Sequence, residues 1–376
     1  MTKFTAKAGD LLRAVGAVAP IIERRNTIPI LSCLLVRAEG ETVRIKATDQ
    51  DTELTAALSA DVHAPGGVCV AAAPFWRLLR TQEDDAPVTI SAHSENRITI
   101  EAGETTVILR GQPEEDFPHS DLGALIGVFR LTAEDLTTLI GRVAFAISTN
   151  EARYYLNGVH IRAKDGRLLA EATDGHRLAQ STIPLPATDA GTLPSVILSR
   201  RFVQWLLCEA GKADAASEVT VNAYGKGRAW TTVDVSFGTL TAVSKTIDAT
   251  FPDTDRVVPE RNGPPATLDR RRLIRALDIV DSVREEKAGA VAFGFNGARL
   301  SLTLDQSCGG TAKTAIPSGY AGAETTIGFQ WRYMRELARV FRGDLLRVHL
   351  TDAANPAIFD TPDDPSFLVV QMPMRL

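Results

Sequence analysis

The chain is most informative at first for what it lacks. No apolar run approaches the roughly 18 residues that a membrane helix needs, and the start, Met1-Thr2-Lys3-Phe4-Thr5, has no apolar leader segment. There are only four cysteines (Cys33, Cys69, Cys208 and Cys308), without a Cys-x-x-Cys spacing, so neither a zinc knuckle nor a redox pair is supported. Buried free thiols in a reducing cytoplasm are the expectation. Missing too are a Gly-x-Ser-x-Gly elbow, a His-Glu-x-x-His pair and a Gly-x-x-x-x-Gly-Lys-Ser/Thr phosphate loop. The six histidines are scattered, and no metal or other cofactor is expected. Basic charge is not in surplus either: 41 Lys+Arg stand against 46 Asp+Glu, a formal net charge of −5. Net charge therefore gives no sign of nucleic acid.

What is present is a repeat. Ala172-Thr173-Asp174-Gly175-His176-Arg177-Leu178-Ala179 reads as a strand end (Arg167 to Ala172), a tight turn and a polar return. Ala47-Thr48-Asp49 closes an earlier strand in the same way, 125 residues before (174 − 49). The same offset carries Arg37-Ala38 onto Arg162-Ala163 and Leu11 onto Leu136, in helical runs predicted over Thr5–Val18 and Thr132–Ala146. A third amphipathic run spans Leu268–Val283, and Asn296 to Asp305 repeats the turn-strand-Asp pattern at an offset of 131 (305 − 174). Second helices are predicted at Pro74–Gln82, Ser199–Ala210 and Gln330–Arg342. Solenoid units are about 20–50 residues long, so this spacing predicts three similar α+β domains in tandem: 1–125, 126–255 and 256–376. Pro113–Gly123 reads as one connector and the Pro-rich stretch 259–266 as part of the next.

Asp174-Gly175-His176 invites an acid–base reading, but Asp49 is followed by Gln50 instead of Gly-His. The repeated Asp is expected to form the turn, its carboxylate accepting backbone N–H groups, and no catalytic residue is assigned. The adjacent Tyr154 and Tyr155, read as strand residues, would point to opposite faces. The informative charge pattern lies on the helices. Arg332, Arg335, Arg339 and Arg342 form one stripe, opposite Tyr333, Leu337, Val340 and Phe341. Arg270, Arg271, Arg272 and Arg275 cluster, as do Arg200 with Arg201 and Arg77 with Arg80. Any one stripe reads simply as a solvated face; recurrence on equivalent helices of an acidic chain suggests a polyanion footprint.

With these residues assembled, the chain resembles the bacterial DNA polymerase III beta subunit, the sliding clamp. The resemblance rests on Glu23-Arg24-Arg25-Asn26-Thr27-Ile28-Pro29-Ile30-Leu31, Arg153 to Gly158, Ala172 to Ala179, Phe251-Pro252-Asp253 and Met372-Pro373-Met374-Arg375-Leu376, in the family's order along the whole chain. It implies three copies of the DNA-clamp domain, with two chains forming a closed ring and helices lining the hole. The implied function is to encircle duplex DNA without sequence preference and to tether a polymerase at high local concentration. Implied partners are DNA polymerase III, the clamp loader and other proteins carrying Gln-Leu-x-Leu-Phe-like motifs, in the cytoplasm and with no membrane contact.

The family's peptide pocket falls, residue by residue, on Leu156, Thr173, Gly175, His176, Arg177, Leu178, Pro252, Arg256, Val257, Pro356, Val370, Met372, Pro373, Met374 and Arg375, with Arg177 or Arg375 available for a peptide's polar end. DNA contacts fall on Arg25, Asn150, Tyr154 and Tyr155. Arg200, Arg201, Arg335 and Arg339 are added from the helical charge. The dimer contact falls on Val107 and Leu109 against Val283. A family arginine is replaced by Ala73, followed by Pro74, which leaves Arg77 and Arg80 one turn on. The rival reading is a divergent clamp-fold scaffold that binds partner peptides without being loaded on DNA.

Overall fold

The computed structural model describes residues 2–23, 27–93, 97–186, 195–226, 229–284, 290–306 and 309–376. One pattern of elements occurs three times. The first copy runs β1 (Thr2–Lys7), α1 (Ala8–Val18), β2 (Cys33–Glu39), β3 (Thr42–Thr48), β4 (Thr52–Ser59), a short β5 (Asp61–Ala64), β6 (Gly66–Ala71), α2 (Ala72–Leu79), β7 (Pro87–Ala92), β8 (Arg97–Ala102) and β9 (Thr105–Gln112). The second runs β10 (Ala124–Thr132), α3 (Ala133–Gly141), β11 (Gly158–Lys164), β12 (Arg167–Thr173), β13 (Arg177–Pro184), β14 (Val196–Ser199), α4 (Arg200–Ala210), β15 (Glu218–Lys226), β16 (Ala229–Phe237) and β17 (Leu240–Lys245). The third runs β18 (Ala266–Asp269), α5 (Arg270–Asp281), β19 (Ala290–Asn296), β20 (Arg299–Gln306), β21 (Gly310–Pro317), β22 (Thr325–Gln330), α6 (Trp331–Val340), β23 (Leu345–His349), β24 (Ala357–Thr361) and β25 (Asp364–Gln371).

Local chemistry accounts for the elements. Leu11, Ala14, Val15 and Val18 recur at helical spacing and bury one face of α1. The side chain of Asp269 accepts from Arg272 N at 2.8 Å to start α5, and Gln330 accepts from Tyr333 N at 3.0 Å to start α6. Strands such as β20 alternate, with Leu300, Leu302 and Leu304 buried.

The chain forms two compact units, one chiefly from residues up to Glu134 together with Gln204–Thr246, the other from Asp135–Leu185, Ser195–Val203 and Ile247–Leu376. In the first, a 13-stranded antiparallel sheet runs β10-β15-β16-β17-β4-β3-β2-β6-β9-β8-β7-β1-β5. The second holds an eight-stranded sheet, β14-β11-β12-β13-β25-β24-β23-β18, and a four-stranded one, β21-β20-β19-β22. Both large sheets are fusions. The last strand of one copy zips onto the third hairpin strand of the preceding copy: β17 on β4, with Leu240 opposite Ala56, and β25 on β13, with Val370 opposite Leu178. These two seams divide the second copy between the units.

Several sequence expectations are corrected here. The hairpins Glu39/Thr42, Lys164/Arg167 and Asn296/Arg299 are equivalent. The offset from second to third copy is therefore 132 (299 − 167), and Asp305 stands at the place of Thr48 and Thr173, not of Asp174. It accepts from Thr311 Oγ1 at 2.6 Å. Asp49 and Asp174 do form the expected turns, each taking two backbone N–H groups. Tyr154 and Tyr155 lie in a 3-10 segment, Glu151–Leu156, instead of a strand. Pro29 starts a 3-10 turn, Pro29–Ser32, and the strand that follows begins at Cys33.

Cys33 and Cys69 sit in one apolar cluster with Leu31, Leu35 and Phe117. Burial raises the Cys33 thiol pKa and pushes that of Cys69 up to about 12. Cys208 is exposed. Since the thiolate is the reactive form, Ellman's reagent at neutral pH is expected to modify Cys208 in the folded protein and leave Cys33 and Cys69 unmodified until denaturant is added. Peptide mapping by mass spectrometry checks the assignment.

Candidate partner groove and basic helix faces

Of the expected peptide-pocket residues, the seam between β13 and β25 brings together Leu178 and Val370, with His176 and Met372 at its end. Leu178 and Val370 face each other across it and pack with Ile358 in one buried cluster, flanked by Val258 and Leu368. Ile358, Val258 and Leu368 were not read from the sequence, although Ile358 sits directly opposite Val370 on β24. Leu156 belongs to a second cluster, with Ile197 and Phe251, against which Tyr155 and Ile247 pack. Val257, Met372 and Met374 leave 45%, 37% and 41% of their surfaces exposed, so apolar and adaptable side chains stand open beside a buried apolar floor. Pro252, Arg256, His176 and Arg375 are exposed, and Thr173, Pro356 and Pro373 are half-buried.

Two devices hold this edge in place. In the first, the tail is pinned by Met372 N donating to His176 O at 2.9 Å and Met374 N donating to Gly328 O at 2.8 Å. A Cβ on Gly328 would lie 2.2 Å from Met374 O, so this close approach requires glycine. The second holds the segment carrying Pro252, Arg256 and Val257. Buried Glu171 accepts from Thr254 Oγ1 at 2.5 Å, Gln180 Nε2 at 2.8 Å and Arg162 Nε at 3.1 Å, and pairs with His160 Nδ1 at 2.8 Å. Asp255 takes Arg162 and Lys164, and Phe251 stacks on His160 at 4.6 Å. Burial opposes ionisation of Glu171, but its hydrogen bonds and the Arg162 charge outweigh this and hold its pKa below the ordinary value. Its contribution to stability is complete above the ordinary carboxylate range and is lost as pH falls through the lowered folded value.

Arg177 departs from expectation. Its side chain is 7% exposed. Its guanidinium donates to Asp174 Oδ2 at 3.1 Å, Glu336 Oε2 at 2.5 Å and Phe145 O at 2.6 Å, and lies over the Phe145 and Tyr333 rings at 4.9 and 4.3 Å. Arg177 is thus an internal brace, with all three guanidinium nitrogens engaged. The partners Phe145, Tyr333 and Glu336 come from distant parts of the sequence, so no local signal marked them. Gly175 turns the chain at φ +89°, a conformation open to glycine.

The chain's other seam has no comparable floor. By the 125-residue offset, Leu178 and Val370 correspond to the pair Glu53 and Val243 on β4 and β17. Glu53 is buried and takes Lys46 Nζ at 2.9 Å and Ser120 N at 3.4 Å. A carboxylate with its ammonium partner replaces the apolar pair there.

Of the residues expected at DNA, Arg25 lies outside the described residues. Asn150 caps the 3-10 segment by accepting from Ala152 N at 2.9 Å, Tyr154 is 56% exposed, and Tyr155 is half-buried. Arg200 is exposed and Arg201 half-buried at the start of α4. On α6, Arg332, Arg339 and Arg342 are exposed; Arg335 pairs with Asp278 of α5 at 2.9 Å and lies over Trp331. Buried α6 positions are Trp331, Met334, Leu337 and Ala338, with Tyr333 and Val340 only half-buried, so the core face is rotated from the expected one. Arg272 and Arg275 on α5 add to the exposed basic surface. Val107, Leu109 and Val283 are half-buried, whereas Ile108 between the first two is 60% exposed. Among the described residues no cluster of three or more metal-ligating side chains occurs and no helix is long and apolar enough to cross a membrane.

Replacing Arg177 with Lys is expected to destabilise the fold by about 2 kcal/mol, because an ammonium cannot serve three acceptors and two ring faces at once. Urea denaturation measures the loss.

Three family models match in series: the DNA polymerase III beta subunit N-terminal domain over residues 2–121, the central domain over 130–253 and the C-terminal domain over 255–375. A beta sliding clamp of Caulobacter vibrioides is 34% identical, with both chains covered in full. One from Pseudomonas aeruginosa is 27% identical over 99% of this chain and 100% of its own. Among solved structures, a DNA polymerase III subunit beta sliding clamp of Bartonella birtlesii bound to griselimycin superposes with a TM-score of 0.94 at 31% identity, covering all of both chains. A Caulobacter crescentus beta sliding clamp, with polyethylene glycol bound to a putative beta-motif tethering region, also gives 0.94, at 33% identity and covering 100% and 99%.

Proposed function

We propose, for a chain that belongs to the DNA polymerase III beta subunit family of sliding clamps, the processivity factors of DNA polymerase, that two copies close into a ring around duplex DNA and hold partner proteins by short peptides at the β13–β25 seam. Its domains are taken as 1–125, 126–255 and 256–376. The reading is that of a non-catalytic, cytoplasmic tether.

The observation that carries ring closure is the pair of strand edges left over by the repeat. β4 and β13 each accept the last strand of the following copy, but β21, their equivalent in the third copy, pairs only with β20 among the described residues. In the first copy, β9 pairs with β8 along Thr105–Arg110 and with β6 only at Gly111 and Gln112. An open edge of this kind recruits another strand. The register follows from the existing seam. Thr105 opens β9 opposite Ala102 as Leu240 opens β17 opposite Phe237. Thr311 faces Asp305 as Glu53 faces Thr48. Transferring the pair Val243 and Glu53 sets Ile108 of one chain opposite Thr311 of its partner. The family contact of Val107 and Leu109 with Val283 lies beside this, and Ile279 on α5, 44% exposed, adds apolar surface to it.

Arg25, Asn150, Tyr154, Tyr155, Arg200, Arg201, Arg335 and Arg339 are the proposed DNA contacts, joined by Arg272 and Arg275. Such contacts neutralise phosphates and carry no sequence information, as sliding requires. A partner's Gln-Leu-x-Leu-Phe-like segment, on DNA polymerase III, a clamp loader or other proteins, would place its Leu and Phe against Leu178, Val370, Val257 and Met372. Apolar burial at roughly 25 cal/mol per Å² makes two such anchors sufficient for a small interface.

The function is tested with a double variant, Ile108→Cys with Thr311→Cys, in a Cys208→Ser, Cys308→Ser background. Oxidation is expected to give a covalent dimer that stays on nicked circular DNA through high salt and leaves it on linearisation. A chain that remains monomeric, or salt-resistant binding to linear DNA, would refute encirclement. Separately, deleting 372–376 is expected to abolish binding of a Gln-Leu-x-Leu-Phe peptide in fluorescence anisotropy while sedimentation still reports a dimer. Unchanged peptide affinity would place the groove elsewhere.

A further inference from the structure

The two seams inside the chain differ on their helical side as well, and the difference leaves a cavity. Helix α1 begins at Ala8 and α3 at Ala133, a shift of 125 (133 − 8), so Arg142, just past the end of α3, falls on Ala17. At the β13–β25 seam, Arg142 is a filler. Its Nη1 donates to Ser366 Oγ at 3.0 Å, Nη2 pairs with Asp364 Oδ2 at 2.7 Å, and the guanidinium lies 5.6 Å from the centre of the Phe367 ring. At the β4–β17 seam the equivalents are smaller. Ser181 opposite Phe367 corresponds to Ala56 opposite Leu240, which puts Thr239 in the place of Ser366. With Ala17 for Arg142 and Leu240 for Phe367, the space stays open as a cavity of about 610 Å³. Gly16, on its wall, has nothing within 4 Å of where a Cβ would stand.

The charges around this cavity are sorted by depth. Glu209 and Asp10 have side-chain exposures of 6% and 36%, whereas their partners Lys212 and Arg13 are 63% and 72% exposed. The carboxylates therefore lie inward and the cations outward. Each ion pair is local, three residues apart on its own helix or helix end, and has an exposed long side chain. The exposed Asp10–Arg13 pair contributes little, whereas the buried Glu209 carboxylate keeps the exposed Lys212 ammonium as its partner at 2.6 Å. The cavity is lined by both carboxylates with their Arg13 and Lys212 partners and by Thr239, against an apolar wall of Ala14, Ala17 and Leu240. A volume of this size suits a small ligand or one long side chain.

We propose that this cavity is a binding site for a guanidinium group on an apolar stem, which would sit where Arg142 sits at the other seam. A guanidinium is favoured over an ammonium because its planar fork reaches a carboxylate and a hydroxyl together, as Arg142 does with Asp364 and Ser366. The source is either a free small molecule or an arginine side chain of a partner protein.

The test uses the full-length protein and ligand-observed NMR titration with arginine amide, lysine amide, norleucine amide and acetyl-Leu-Arg-Leu amide. Saturable binding of arginine amide is expected, several-fold weaker binding of lysine amide, and none of norleucine amide. Ala17→Arg, which supplies the missing side chain from within, is expected to abolish arginine amide binding. Glu209→Gln, which leaves the cavity open and removes its deepest charge, is expected to weaken binding about tenfold. Tighter binding of the tripeptide than of the amide would support a partner's arginine as the source, and the reverse a small molecule. Norleucine amide binding as well as arginine amide, or arginine amide binding unchanged in both variants, would overturn the proposal.

Discussion

The structure depends on an unsatisfied strand edge. Each copy of the repeat ends its hairpin triplet with a strand whose outer edge pairs with no other strand of that copy among the described residues, and edges of this kind are costly or adhesive. The chain resolves this twice by lending the last strand of one copy to the preceding copy, β17 to β4 and β25 to β13. The sheets therefore pass through the junctions between repeats, and the compact units fall across the repeats instead of between them. The edges of β21 and β9 remain over, and a second chain completes them on the ring reading.

The seams also explain how three copies of one fold come to do different work. Backbone pairing is the same at β4–β17 and β13–β25, so side chains decide the outcome. Leu178 with Val370 makes an apolar floor that Ile358, Val258 and the pinned methionine tail extend. Glu53 with Lys46 at the equivalent place makes a closed ion pair. On the helical side the roles reverse: Arg142 fills one seam, and Ala17 leaves the other hollow. Duplication supplied equivalent positions, and substitution at a few of them sorted the seams into a groove, a sealed edge and a cavity.

Charge follows the same logic of position over total. A chain with a formal net charge of −5 has exposed arginines on α5 and α6, while others are spent on internal carboxylates: buried Arg177 on Asp174 and Glu336, and Arg347 on buried Asp360. Exposed arginines contribute to a long-range field, and buried ones brace the fold.

The sequence by itself determined the threefold repeat, the α+β class and the turns at Asp49 and Asp174, because these rest on local periodicity, turn chemistry and ordered motifs. Fine registration was beyond its reach: a one-residue slip placed Asp305 on Asp174, and two tyrosines in a 3-10 segment read as strand. Only the tertiary structure decided that Arg177 is a brace, since Phe145, Tyr333 and Glu336 reach it from far along the chain. It alone showed that Ala17 borders a hole, because an absent side chain leaves no mark in a sequence until its counterpart, Arg142, is seen filling the equivalent space. Local rules fix what each segment becomes; which groups meet depends on packing between segments hundreds of residues apart.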